Sequence, residues 1–298
     1  LSPSMSTRVL VVGDVMTDII VRPEGPIVPG SDRRAEIRNR PGGSGANQAV
    51  WLGAAGADVL FAARVGADDR PMYENYFRGQ GVVPALAGDH DLPSGVLVTI
   101  LDRSGERSFL TDRGANLNLC SDDLPESLLE GVGLVLVSGY SFFAPGPRMA
   151  VQRLLQFARK KGVAIAIDPA STGFLDEVGP AVFLGWVGVG SWLFANESEA
   201  ELLTGEADFD AQMRSLGQQF DHVVIKRGQF GAALGDRDGV RLSQPAPIVK
   251  VVDTTGAGDA FAAGFVAALL RGESTDACLA AGIAGGAKAV QAVGGQPG

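Results

Sequence analysis

The stretch Asp253-Thr254-Thr255-Gly256-Ala257-Gly258-Asp259-Ala260-Phe261 places a glycine turn and one carboxylate at the start of an apolar segment. β-Branched residues before it predict a short strand at residues 248–252, and residues 260–270 have the apolar spacing of a helix that a glycine ends. We therefore expect Gly256 and Gly258 at a strand-to-helix junction. Because unpaired amides and the positive end of the helix dipole attract anions there, this junction predicts a phosphate-binding site.

Asp259 puts a negative charge where a phosphate is expected to bind, which is unfavourable unless chemistry requires it. A carboxylate there can accept the proton of an attacking hydroxyl, while the four amides of Gly256, Ala257, Gly258 and Asp259 stabilise the transferred phosphoryl group. An acid near a helix N-terminus can also serve only as a cap. For an isolated Gly-x-Gly-Asp both interpretations stay open.

The whole stretch resembles the signature of the PfkB, or ribokinase-like, family of sugar and nucleoside kinases. Pro41-Gly42-Gly43-Ser44-Gly45-Ala46-Asn47-Gln48-Ala49 resembles the glycine motif of that family, and Asn196-Glu197-Ser198-Glu199 resembles its Asn-x-x-Glu segment. The three motifs follow the family order between residues 13 and 295. The resemblance implies an α/β, ribokinase-like three-layer fold, with a mostly parallel sheet flanked by helices and a small antiparallel β lid.

Apolar strands alternate with helical segments along much of the chain, which predicts a parallel sheet covered on both faces. The expected strands are residues 8–12, 57–62, 133–138, 163–168 and 222–226. Residues 18–39, rich in proline, and residues 94–111, with hairpin alternation around 102–106, break this rhythm. We expect residues 1–298 to form a single ribokinase-like α/β domain in which these two segments build the lid.

Composition narrows the function classes. A formal net charge of −9 argues against a nucleic-acid surface. Cys120 and Cys278 are far apart and lack metal-type spacing, which favours a reducing, cytoplasmic setting. Residues 1–7 lack the apolar run of a signal peptide, and proline and glycines interrupt the uncharged residues 178–195, so we expect no membrane partner.

The resemblance assigns the sugar site to the N-terminal part of the chain. Asp18 matches the acid that accepts hydrogen bonds from sugar hydroxyls, Gly42 and Gly43 allow close backbone approach, and Asn47 offers a donor and an acceptor. From the residues alone, Asp18 could be a turn or helix cap, and the glycine motif a helix start made of small residues. Ser44 stands where ribokinases often have lysine, which weakens the expectation of ribose itself.

The resemblance assigns ATP binding to four residues, Asn196, Glu199, Lys226 and Gly228. The first two would lie near Mg²⁺ and the phosphates through ordered water, while Lys226 reaches the phosphates and Gly228 allows their close approach. The simpler interpretations are an N-cap with acids in the first turn, and a solvated lysine at a strand end.

Asp253 and the carbonyl of Thr255, together with residues 289–295, resemble the loops that bind a monovalent cation, such as K⁺, in many relatives. Arg113 and Asn116 are further candidates to face the substrate from the lid. A turn held by a salt bridge is the simpler interpretation of those two residues.

The implied function is ATP-dependent phosphorylation of a primary hydroxyl of a small sugar or sugar derivative. The alternatives are an adenosine-type nucleoside kinase, in which Phe109, Tyr140, Phe142 or Phe143 would line the base pocket, and a 2-keto-3-deoxygluconate kinase. A sensor without activity should have lost the base or the anion site, and the residues for both are present here. A dinucleotide-dependent dehydrogenase needs Gly-x-Gly-x-x-Gly after the first strand, where this chain has only Gly13. An exposed edge of the lid could pair two copies into a homodimer.

Overall fold

The computed structural model describes residues 7–101, 107–169 and 171–297, and contains one large and one small β-sheet. The strands are β1 (Arg8–Val12), β2 (Met16–Pro23), β3 (Ala35–Gly42), β4 (Asp58–Gly66), β5 (Val82–Asp89), β6 (Gly95–Leu101), β7 (Arg107–Asp112), β8 (Val132–Ser138), β9 (Ala164–Asp168), β10 (Gly190–Asn196), β11 (Phe220–Lys226), β12 (Ala232–Asp236) and β13 (Gly239–Gln244). The α-helices are α1 (Ser44–Ala54), α2 (Arg70–Gly79), α3 (Pro145–Lys161), α4 (Thr172–Val178), α5 (Pro180–Val187), α6 (Glu197–Thr204), α7 (Phe209–Leu216), α8 (Ala257–Leu270) and α9 (Thr275–Ala289). The start of the chain and the expected turn at residues 102–106 lie outside the described residues.

The large sheet has the strand order β13-β12-β11-β10-β9-β8-β1-β4-β5, and its strands from β11 to β5 are parallel. Successive side chains of a strand point to opposite faces. In β1, Val9 and Val11 join a core with α1, α2, α8 and α9, while Leu10 and Val12 join a core with α3, α5, α6 and α7. Because both faces of the sheet are buried, the sequences of its parallel strands are nearly continuous apolar runs. The predicted three-layer fold is therefore confirmed.

The small sheet has the order β3-β2-β6-β7 and covers the carboxyl ends of the parallel strands. Its two hairpins, β2–β3 and β6–β7, are antiparallel as expected, and a parallel pairing of β2 with β6 joins them. These strands come from the two segments that break the helix–strand rhythm. Asp18 lies inside β2 and is therefore carried by this small sheet.

The expected strand at residues 248–252 is wrong. These residues form no strand, and Ile248 is fully exposed. The amide of Val252 donates instead to the carbonyl of Val290 at 2.7 Å. β-Branched composition favours a strand only where a neighbouring ladder is available, and here the apolar side chains line a cleft. The following helix, α8, begins at Ala257, three residues before the expected start.

The uncharged residues 178–195 divide into helix α5 and strand β10. Across the described ranges, no helix is both long and apolar enough to cross a membrane.

Candidate active site

The N-terminus of α8 presents an anion site. Gly256 has a left-handed conformation, with φ of 73°, and precedes the first turn of the helix. Within the described part of the chain, the amides of Gly256, Gly258 and Asp259 have no hydrogen-bond acceptor, whereas the amide of Ala257 donates to Thr254 O at 3.3 Å. Three of the four amides expected for the phosphoryl group are therefore available, and that of Ala257 is used by the turn.

Asp259 is held by two side chains of the N-terminal glycine motif. Its Oδ1 accepts a hydrogen bond from Ser44 Oγ at 2.7 Å, and its Oδ2 accepts one from Asn47 Nδ2 at 3.0 Å. Its side chain makes no capping bond to the helix that carries it. Burial and the nearby Asp168 raise the pKa of Asp259 to about 7, against the opposing effects of Asn47, Ser44 and Lys226. A carboxylate with such a pKa is suited to act as a base near neutral pH.

Asp259 faces a cavity of about 550 Å³ that lies between the small sheet and the ends of the parallel strands. Asp18 lines the same cavity, and its carboxylate lies directly over Gly42, where a Cβ would approach it to 2.2 Å. Burial and the neighbouring Asp14 raise the pKa of Asp18 to about 7. Gly42 is therefore required to make room for the carboxylate of Asp18.

Two buried acceptors in this cavity lack a protein donor. Oδ1 of Asp18 and Oδ1 of Asn47 are both buried and have no hydrogen-bond partner among the residues described. Buried polar atoms are normally hydrogen-bonded, so atoms of this kind in a cavity mark where a ligand binds. Both call for a donor, which a sugar hydroxyl provides.

Arg113 and Tyr140 also line this cavity. Arg113 stacks over the ring of Tyr140, 4.2 Å from its centroid, and lies 3.6 Å from Oδ2 of Asp14. Asn116 does not line this cavity, and its side chain bonds the backbone of Val15 and Arg113. Arg113 therefore lines the cavity, and its contact with Asp14 also fits the simpler interpretation of a turn held by a salt bridge.

Lys226 ends β11, and its Nζ donates to Oδ2 of Asp168, 3.1 Å away at the end of β9. Burial alone would lower the pKa of Lys226, but Asp168 and Glu199 outweigh it and raise that pKa. Nζ also borders the anion site, because a Cβ added at Gly258 would lie 3.2 Å from it. A buried ammonium group thus stands beside the three available amides.

Asn196 and Glu199 cap each other at the start of α6. Oδ1 of Asn196 accepts from the amide of Glu199, and Oε2 of Glu199 accepts from the amide of Asn196, both at 2.8 Å. The capping interpretation is therefore confirmed, although both residues also line the cavity. Burial raises the pKa of Glu199, more than Lys226 lowers it.

A second cleft, of about 710 Å³, adjoins the first. Its walls are largely apolar and include Phe230, Ile248 and Ile283, while Gly228 lies at its edge. Three residues line both spaces: Asn196, Lys226 and Gly258. The anion site therefore stands at the junction of a polar cavity and an apolar cleft.

Asp253 connects the turn before α8 to the C-terminal segment. Its Oδ1 accepts from the amide and from Oγ1 of Thr255, at 2.9 and 2.8 Å, and its Oδ2 accepts from the amide of Gly294 at 3.1 Å. Over the described ranges, no group of three or more His, Cys, Asp and Glu side chains is placed to hold a metal. A cation here would therefore depend on backbone carbonyls, phosphates or water.

Most of the residues assigned from the sequence meet in the polar cavity. Those that line it are Asp18, Gly43, Asn47, Asn196, Glu199, Lys226, Thr255, Gly256, Gly258 and Asp259. Sequence reasoning did not select Asp14 or Asp168 for the site. Asp14 lies two residues after β1 and Asp168 ends β9, both at the carboxyl edge of the sheet, and that position could have identified them.

Comparison with known proteins agrees with this arrangement. The family described as "pfkB family carbohydrate kinase" matches residues 6–298 of this chain. The bifunctional protein HldE of Pseudomonas syringae pv. tomato is 32% identical over an alignment of 302 positions, which covers 92% of this chain. The matched region spans 59% of the length of that relative.

Solved structures have the same fold. Ribokinase of Arabidopsis thaliana, in complex with ribose and ATP, has a TM-score of 0.80 at 27% identity, covering 97% of this chain and 94% of that one. Adenosine kinase of Sinorhizobium meliloti has a TM-score of 0.86 at 23% identity, covering 98% and 96%. Because the family match extends over almost the whole chain, the protein belongs to the PfkB family of carbohydrate kinases.

Proposed function

We propose that the protein transfers the γ-phosphoryl group of ATP to a primary hydroxyl of a small sugar or sugar derivative. The observation that carries this proposal is the position of Asp259. Its carboxylate lies beside the free amides at the start of α8, which include that of Gly258. It also faces a cavity in which two buried acceptors, on Asp18 and Asn47, need hydroxyl donors. The ribokinase of similar fold that was solved with ribose and ATP supports this choice of substrates.

In the reaction, the oxygen of the sugar hydroxyl bonds to the γ-phosphorus while Asp259 accepts the proton of that hydroxyl. The bond between the γ-phosphorus and the bridging oxygen breaks, and ADP leaves with the electron pair. The amides of Gly256 and Gly258 face the oxygens of the transferred group, and Lys226 balances the charge that develops beside them. Closure of the small sheet excludes water, which could otherwise take the phosphoryl group.

The apolar cleft is the proposed nucleotide site. It is large enough for a base and ribose, and it opens at Lys226 and Gly258 to the anion site. Mg²⁺ bound with ATP would neutralise phosphate charge, held mainly by the phosphates and water because Glu199 is already engaged by its cap. Asn196 and Glu199 would contact it through water.

We assign a monovalent cation, such as K⁺, to the turn at Asp253 and Thr255. The carboxylate of Asp253 orders both this turn and Gly294, so a cation bound to their carbonyls would fix the start of α8. Replacing KCl by choline chloride at constant ionic strength tests this assignment. Turnover should fall without K⁺, and unchanged turnover would remove the assignment.

A coupled ADP-release assay with Mg²⁺, K⁺ and ATP tests the main proposal. The panel contains ribose, fructose, 2-keto-3-deoxygluconate, adenosine and a sugar phosphate, and Asp259→Asn serves as the control for contaminating kinases. ADP release that depends on one substrate and disappears in the variant supports the proposal. ATP binding with no release across the panel would favour a sensor without activity.

One observation favours a nucleoside as the second candidate. A side chamber of about 290 Å³ opens beyond Arg113 and is lined by Tyr140, Phe143 and Phe174. Aromatic side chains of this kind can stack on a base. Of the aromatic residues expected for such a pocket, Phe142 is fully buried in the core and does not contribute. Turnover of adenosine in preference to ribose and fructose would select this candidate.

A homodimer through the small sheet is also proposed. Its face opposite Asp18 carries apolar residues from all four strands, and of these Ile37 and Leu110 are 60% and 62% exposed. A second copy of this chain would cover that face. Sedimentation should give a dimer that Leu110→Asp converts to a monomer, and a monomeric parent protein would contradict the proposal.

The free thiols of Cys120 and Cys278 suit the reducing cytoplasm, where we place the protein.

A further inference from the structure

The C-terminal segment, residues 292–297, lies between the small sheet and the start of α8. It has no regular secondary structure, so its position depends on contacts with neighbouring elements. Trp51 Nε1, from α1, donates to Gly295 O at 2.9 Å, and the Tyr76 hydroxyl, from α2, bonds Gln296 Oε1. These contacts fix one side of the segment to the body of the protein.

Arg40, in β3, holds the other side of this segment. Its Nη1 donates to the carbonyl of Val293, and the guanidinium group lies against Gly294, where a Cβ would come within 2.8 Å. Arg40 is directly opposite Asp18 in the β2–β3 ladder, so both side chains lie on the same face. Arg40 nevertheless forms no ion pair with Asp18 among the described residues, and binds the C-terminal segment instead.

From Val293 the contacts continue without a gap to the anion site. The amide of Gly294 donates to Asp253, which in turn accepts from the amide of Thr255. Gly295 lies directly against Gly256, where a Cβ would approach it to 2.5 Å. The backbone that presents the free amides is therefore packed on the segment that Arg40 holds.

We propose that Arg40 is a positioning residue that couples the small sheet to the anion site of α8. It touches neither the reacting atoms nor the nucleotide cleft, and acts through Val293, Gly294 and Asp253. When the small sheet moves over a bound sugar, β3 carries Arg40 with it, and the carbonyl of Val293 follows. This inference rests on the proposed kinase function, since it assigns the anion site to the γ-phosphate.

Arg40→Met tests the inference because it keeps the aliphatic part of the side chain and removes its donors. Arg38→Met is the matched control, since Arg38 lies two residues away on the same face of β3 and pairs with the exposed Glu36. Hydrogen exchange of the unliganded protein is measured first. Arg40→Met should accelerate exchange of the hydrogen-bonded amides of Thr255 and Gly294 at least about tenfold, while Arg38→Met leaves them unchanged.

Calorimetry then compares the Mg²⁺ complexes of ADP and of a non-hydrolysable ATP analogue with an imido bridge. Arg40→Met should weaken the analogue at least about tenfold and ADP less than about threefold, because only the analogue carries a γ-phosphate. Arg40→Lys, which retains a charged donor, should recover part of that loss. The inference is overturned if Arg40→Met matches the wild type in both measurements, or if Arg38→Met reproduces its effects. A wild-type protein that binds neither nucleotide would contradict the kinase proposal, and hydrogen exchange alone would then decide the role of Arg40.

Discussion

Asn47 donates to Oδ2 of Asp259 at 3.0 Å, a contact between residues 212 positions apart in the chain. It joins the N-terminal glycine motif directly to the carboxylate that we propose as the base. The amide oxygen of the same Asn47 side chain stays without a donor in the substrate cavity. One side chain therefore orients the base and leaves an acceptor for the substrate.

Asp259→Asn should reduce turnover by at least about 10²-fold, because the amide cannot accept the proton of the hydroxyl. Binding of MgADP, measured by calorimetry, should change less than about threefold, since the amides at the helix start remain. Turnover within tenfold of the wild type would remove Asp259 as the base.

Ser44→Ala should shift the acidic limb of the kcat profile to higher pH. The Ser44 hydroxyl donates to Asp259 and lowers its pKa, so its loss raises the pKa above about 7. A hydrogen bond worth about 1 kcal/mol corresponds to a shift of up to about one pH unit. In the wild type, kcat should fall tenfold per pH unit below pH 7, and a limb that does not move in Ser44→Ala would show that another group controls it.

Gly256→Ala and Gly272→Ala form a matched pair at the two ends of α8. Both glycines have left-handed φ values, 73° and 74°, but a Cβ at Gly256 would meet Gly295 at 2.5 Å, while nothing lies within 4 Å of one at Gly272. Each alanine costs about 1–2 kcal/mol of backbone strain. Only Gly256→Ala should also lower kcat, by about tenfold or more, as measured in the ADP-release assay. Equal loss in both variants would mean that strain alone is responsible.

Lys226→Met should lower the free energy of unfolding by about 3–5 kcal/mol, because it leaves the buried carboxylate of Asp168 without its ammonium partner. Urea denaturation measures this change. The double variant Asp168→Asn, Lys226→Met should regain part of the lost stability. A loss below about 1 kcal/mol in Lys226→Met would show that the pair is dispensable for folding.

Asp18→Asn should stabilise the protein increasingly as the pH rises from 5 to 8. Folding raises the pKa of Asp18 from its usual 3.8 to about 7, so the folded wild type holds a proton that the unfolded chain releases. Its stability therefore declines by about 1.4 kcal/mol per pH unit from pH 5 until the pH approaches 7 and levels off above that, and the asparagine variant escapes this decline. Thermal unfolding at pH 5 and 8 measures the difference.

Glu74→Gln serves as the control for that experiment. Hydrogen bonds from Arg70 and Arg78 lower the pKa of Glu74, so its contribution to stability is present at neutral pH and disappears in acid. Between pH 5 and 8 the control should therefore show a small deficit of stability that stays constant, because the contribution of Glu74 is lost only below its ordinary pKa of 4.5 and the site is exposed. A parallel response of the two variants would contradict the assignment for Asp18.

Strands buried on both faces were predictable, because the inner residues of β1 and β8, Val9 to Val12 and Leu134 to Val137, are apolar whichever face they meet. Residues 248–252 have the same local composition, yet the sequence does not say whether a neighbouring strand is available to them. Likewise, the three motifs identified most residues of the site. The role of Asp168 was not predictable, because it depends on β9 and β11 lying on either side of β10, which places its carboxylate beside Lys226.

The separation between Asn47 and Asp259 also determines when the parts of the site become available during protein synthesis. At about 5–20 residues per second, the ribosome needs about 10–40 seconds to advance the 212 positions from Asn47 to Asp259. During that interval the glycine motif is complete, but it has neither the proposed base nor the proposed anion site beside it. A nascent chain can therefore not split ATP before α8 has been made and has folded onto α1.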